Sequence, residues 1–84
     1  MYLVQFRKEA LRFLERQDEK TAGRILEKIK ELAKDPYAPN NNVKKLTGRD
    51  GYRLRIGNIR AIYDIYDKVL VIDVLEIGFR GAIY

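Results

Sequence analysis

Three arginines flank the dipeptide Gly57-Asn58 in the stretch Tyr52-Arg53-Leu54-Arg55-Ile56-Gly57-Asn58-Ile59-Arg60. Glycine and asparagine between two runs of strand formers mark a two-residue hairpin turn. Closing the chain there sets Ile56 opposite Ile59, Arg55 opposite Arg60, Leu54 opposite Ala61 and Arg53 opposite Ile62. Side chains alternate along a strand, so Arg53, Arg55 and Arg60 fall on one face. Two like charges directly opposite one another are destabilising by a few tenths to about 1 kcal/mol. A polyanion would offset that cost, because guanidinium forks are always charged and fit phosphate oxygens. The chemistry this pattern suits is the gripping or cleavage of a phosphodiester chain. The competing structural reading is a solvated face, or arginines paired with Asp64 or Asp73 across the sheet.

Further cations gather in the same half of the chain. Lys44, Lys45 and Arg49 precede the hairpin and Arg80 follows it, in a tail that ends in Tyr84. Lys44, Lys45, Arg49, Arg53 and Arg55 are the candidate RNA-binding residues. Tyr84 has a ring that can stack on a base and a hydroxyl that can join a proton transfer, although a terminal tyrosine also serves simply to close a core. The whole chain carries 17 Lys and Arg against 12 Asp and Glu, a net charge of +5, with no histidine and no cysteine. Missing cysteine excludes a disulfide framework and a thiolate metal site, and missing histidine removes the commonest metal ligand and the usual general base. No metal and no cofactor is expected, and any catalysis falls to Lys, Arg, Tyr and carboxylates.

The elements that must position these residues are few. Eighty-four residues form a single domain over 1–84, with room for one core and no buried pocket for a small-molecule substrate. Tyr2 to Phe6 alternates as a short first strand. Ala10, Leu11 and Leu14 give one helical stripe, and Ala22, Ile25, Leu26, Ile29, Leu32 and Ala33 give a longer one, capped by Asp18 and stopped at Asp35-Pro36. The charged residues on the opposite side of that helix read as a solvated face. Tyr37 to Asn42 is a surface loop. Three strands follow, Tyr52 to Ile56, Ile59 to Tyr66 and Val69 to Ile77, joined by two-residue turns at Gly57-Asn58 and Asp67-Lys68. The order predicts an α+β domain: an N-terminal strand, then two helices packed on one face of an antiparallel sheet with a C-terminal three-stranded meander. Tyr52, Leu54, Ile56, Ile59, Ala61, Tyr63 and Ile65 are the bed for the helices, and the arginine face is left open. The opening residues lack the features of a signal peptide and no apolar run reaches membrane length, so no membrane contact and a cytoplasmic location are expected.

Over nearly the whole chain, Tyr2-x-Val4-x-Phe6, Lys45-Leu46-x-Gly48, the Tyr52–Tyr63 hairpin and Ile77-Gly78-x-Arg80-x-x-Ile83-Tyr84 together resemble the RelE/ParE superfamily of type II toxins. The resemblance implies a RelE-like fold and a metal-independent endoribonuclease that enters the ribosome, cuts messenger RNA by attack of a 2′-hydroxyl on the adjacent phosphate, and is held inactive by a cognate antitoxin. It places Arg53 and Arg55 on the RNA, Arg60 at the phosphate, Arg80 at the leaving group or substrate, and Tyr84 on a base or the nucleophile, making Arg60, Arg80 and Tyr84 the catalytic candidates. The position before the tail arginine, often His or Lys in the family, is Phe79, and both basic hairpin positions are arginine, a poor general base. The base is then Lys44, Lys45 or a carboxylate, or the site relies mainly on positioning and electrostatics with slow turnover. The alternatives are a catalytically weak or inactive relative that binds RNA or antitoxin, and a ParE-like inhibitor of DNA gyrase.

Overall fold

The computed structural model describes residues 1–81 and contains β1 (Leu3–Phe6), α1 (Lys8–Glu15), α2 (Glu19–Lys34), β2 (Val43–Lys45), β3 (Tyr52–Ile56), β4 (Ile59–Tyr66) and β5 (Val71–Phe79). The five strands form one sheet in the order β1-β5-β4-β3-β2. The predicted meander is present, and the arginine hairpin closes in the expected register, from Ile56 opposite Ile59 to Arg53 opposite Ile62. Two strand pairings complete the sheet beyond the meander. β1 runs parallel to β5, Leu3 beside Val71 and Phe6 beside Val74, so the sheet is mixed. β2 adds antiparallel to β3, with Lys44 opposite Arg53.

Both helices cover one face. Ala10 and Leu14 of α1, and Ile25, Ile29, Leu32 and Ala33 of α2, pack with Leu54, Ile56, Ile59, Ala61 and Tyr63, and with Ile72, Val74 and Ile77 of β5. Tyr52 and Ile65 are partly buried against this core, so the predicted bed holds throughout. A bulge in the β4–β5 pairing, where Ile62 faces Glu76 but Tyr63 faces Val74, leaves Leu75 as the extra residue. It returns both Val74 and Ile77 to the helix side, which strict alternation does not allow. α2 begins as expected, with Asp18 accepting the backbone N–H of Thr21 at 2.9 Å. That contact, with the Thr21 hydroxyl, holds the Asp18 carboxyl below the ordinary aspartate range.

Three expectations need correction. Leu11 and Leu26, each assigned to a buried stripe, are 45% exposed, because Ala10 with Leu14 and Ile25 with Ile29 already fill the line facing the sheet and the next residue round each helix lies on its flank. The turn after β4 has four residues, not two: Tyr66 pairs with Val71, and Leu70, at φ 54°, donates its N–H to the Asp67 carbonyl at 3.3 Å. Val69 and Leu70 therefore leave the strand for the exposed turn. The hydroxyls of Tyr2 and Tyr37 both donate to the Asp67 carboxylate at 2.8 Å, tying the 35–42 loop to that turn. Sharing Asp67 raises the Tyr37 phenol to about 12. Among the described residues no helix is long and apolar enough to cross a membrane.

Candidate nucleic-acid interface

The hairpin turn is the pivot of the site. Gly57 has φ 61°, a left-handed conformation that glycine adopts without penalty. A Cβ there would also run into the guanidinium of Arg24, which reaches across from α2. Tight packing at this point holds the ends of β3 and β4 in place.

On the side away from the helices, Arg53, Arg55, Arg60 and Arg80 line one open depression of about 440 Å³. Each arginine is fixed differently. Arg55 is exposed, with its backbone N–H on the Asn42 carbonyl at 2.8 Å and its guanidinium on Asn42 Oδ1 at 3.3 Å. Arg80 is exposed too, and its backbone N–H donates to the Asn58 carbonyl at 2.8 Å, so the tail arginine is pinned to the hairpin tip. Arg53 is partly buried. Arg60 departs from expectation. Although it stands on the arginine face, it is only 7% exposed, and its Nη1 donates to the carbonyls of Gly57 at 3.0 Å and Ile59 at 3.2 Å. Folding back onto the turn turns part of its charge away from Arg55 and spends it on backbone oxygens that the tight turn exposes.

A second depression, of about 480 Å³, adjoins the first and shares Arg53 with it. Lys44, Lys45 and Arg49 line it together with Leu46, Thr47 and Ile62. Ile62 lies on the arginine side yet is 2% exposed, so this face is less open than expected. Seven of the eight candidate residues thus surround two connected depressions. Tyr84, the eighth, lies outside the described residues.

Asp73, fully buried, accepts from Arg7 Nε at 3.0 Å and Nη2 at 2.9 Å. Arg7, not an arginine of the hairpin, is its partner. Glu76, opposite Ile62, is the carboxylate that the register sets next to Arg60. The phenol of Tyr63, pushed up by burial, is on the helix side and keeps its proton, so it offers no base. Asn42, Arg24 and Glu76 are not site residues by any sequence pattern, and Asn58 stands out there only as a turn residue.

A helix pair on one face of a small mixed sheet, with a basic hairpin on the other, defines a small α+β domain of the toxin type. The family model for the ParE toxin of type II toxin-antitoxin systems matches residues 4–84, and the chain belongs to this RelE/ParE superfamily of type II toxins. It is 27% identical over 79 residues to an Escherichia coli protein described as a RelE-like toxin, covering 94% of this chain and 83% of that one. Among solved structures it is similar to the archaeal RelE–RelB complex from Pyrococcus horikoshii, with a TM-score of 0.82 and 32% identity, covering 96% of this chain and 97% of that one. It shares the fold of the Escherichia coli RelBE toxin-antitoxin complex, with a TM-score of 0.80 at 23% identity over 96% and 99% of the two chains. It also shares that of a YoeB/ParE toxin from Agrobacterium tumefaciens, with a TM-score of 0.76 at 17% identity over 93% and 98%.

Proposed function

We propose that this toxin is an endoribonuclease that cuts messenger RNA in the ribosome, in the cytoplasm, and is held in check by a cognate antitoxin. The observation that carries the reading is the single depression lined by Arg53, Arg55, Arg60 and Arg80. Cleavage by 2′-hydroxyl attack forms a bond from the 2′-oxygen to phosphorus and breaks the bond to the 5′-oxygen, giving a cyclic phosphate and a free 5′-hydroxyl. One proton leaves the nucleophile and one reaches the leaving oxygen. Negative charge builds on the phosphorane between these events, and fixed guanidinium donors stabilise it. Arg55 and Arg80, the two exposed members, contact the phosphate. Arg53 aligns the backbone, and Arg60 supports the turn. Lys44, Lys45 and Glu76 are the candidate bases, and Tyr84 stacks a base or orients the nucleophile. Positioning supplies much of the rate in such a site. The archaeal and Escherichia coli relatives were solved with RelB, which supports an antitoxin partner here.

Primer extension on messages from cells making this protein, beside the Arg80→Ala variant, tests the reading. The expected result is cuts inside translated codons that disappear in the variant. Intact messages would overturn it. The match to the ParE family model favours a second reading, inhibition of DNA gyrase. Loss of supercoiling activity by purified gyrase, with messages intact, would establish that reading instead.

A further inference from the structure

The depression beside the four-arginine site has the wrong chemistry for a second phosphate. A phosphate site is polar throughout. This one mixes the cations Lys44, Lys45, Arg49 and Arg53 with Leu46, Ile62 and Thr47, and more of its lining is apolar than polar. Its volume of about 480 Å³ exceeds that of the arginine depression, about 440 Å³, and the two meet at Arg53. A mainly apolar lining with cations in it, sharing Arg53 with the arginine depression, suits a flat, apolar-faced group joined to a phosphate chain.

We propose that this second depression is a nucleobase subsite, which takes one unstacked base of a single-stranded RNA whose adjacent phosphate lies among Arg53, Arg55 and Arg80. Single-stranded RNA is recognised by splaying out bases and packing them on apolar or guanidinium surfaces. Arg53, common to both depressions, offers its plane to the base on one side and its charge to the phosphate on the other. Leu46 is held at the wall by the loop that closes on itself, its N–H donating to the Gly51 carbonyl at 3.0 Å. Gly51 is itself irreplaceable there, since at φ 113° an added Cβ would lie 2.9 Å from Asp64 Oδ1. The loop is therefore a shaped wall. This subsite deepens the RNA reading above and rests on it.

The test is fluorescence anisotropy with a labelled 2′-O-methyl pentanucleotide, which cannot be cleaved by 2′-hydroxyl attack, and with five versions each lacking one base. Phosphates are the same in all six. The expected result is that one abasic position weakens binding about tenfold and the others about twofold or less. Leu46→Ala should erase the penalty at that one position, whereas Arg80→Ala should weaken all six oligomers alike and keep it. Equal affinity for every abasic version would overturn the subsite while leaving RNA binding in place. No binding of the intact pentanucleotide at low salt would overturn both.

Discussion

Arg60 and Arg80 show how the same residue type does different work within one depression. Arg80 is exposed and held only through its backbone, so Arg80→Ala should abolish cleavage and change unfolding free energy by no more than about 0.5 kcal/mol. Arg60 is buried on two turn carbonyls, so Arg60→Ala should lose cleavage and also destabilise the protein by about 1.5–3 kcal/mol. Urea unfolding of the two variants separates the roles, and equal stability losses would contradict them. Alternation along the strand was enough to place both arginines on one side. It could not tell that one of them bends back, because the acceptors are main-chain oxygens whose direction depends on the turn. The partner of Asp73 was illegible for a related reason: Arg7 and Asp73 are 66 residues apart and meet only because β1 lies beside β5.

At the level of elements, the hairpin was legible to the residue, since a two-residue turn leaves a single register. The turn after β4 was not, because Val69 and Leu70 are strand formers by type and nothing in their order announces a left-handed leucine. β2 was missed for its brevity: three residues, two of them lysines, have no alternation to read, and edge lysines are what an unpaired strand border needs. Helical periodicity found the right face of α2 but made it too wide. Ile29→Ala, at 2% exposure, should lose about 2–5 kcal/mol, and Leu26→Ala, at 45%, less than about 1 kcal/mol, as read from thermal or urea unfolding. The start of α2 carries a pH signature. Its cap carboxyl is held below the ordinary aspartate value, so the contribution is full at neutral pH and fades as pH falls below about 4, through the lowered value. Asp18→Ala should therefore melt lower than the parent at pH 7, and the two melting temperatures should converge towards pH 2.

For the whole molecule, the decisive property is where its charge lies. An excess of five positive charges spread evenly would attract any polyanion weakly, whereas here two cationic depressions adjoin on one side of the sheet. If four cations neutralise phosphates, the logarithm of the RNA binding constant should fall against the logarithm of salt with a slope of about −3. Arg80→Ala should make that slope shallower by about 0.7, and an unchanged slope would remove Arg80 from the phosphate contacts. Overall architecture was readable from the order of elements, because helices between a lone strand and a meander have one sheet face to cover. What stayed hidden was the parallel seam between β1 and β5, which no local pattern encodes.

That seam bears on how the protein is made. β5 leaves the ribosome after every other described element, yet it is the strand that joins β1 to β4 and that α1 packs against. Until it arrives, β1 has no strand to pair with and Arg80 does not exist. The arginine depression is thus incomplete until β5 has emerged, and a partner that meets the nascent chain earlier finds the edges of an unfinished sheet. Contacts this distant in sequence also slow folding, which widens that interval.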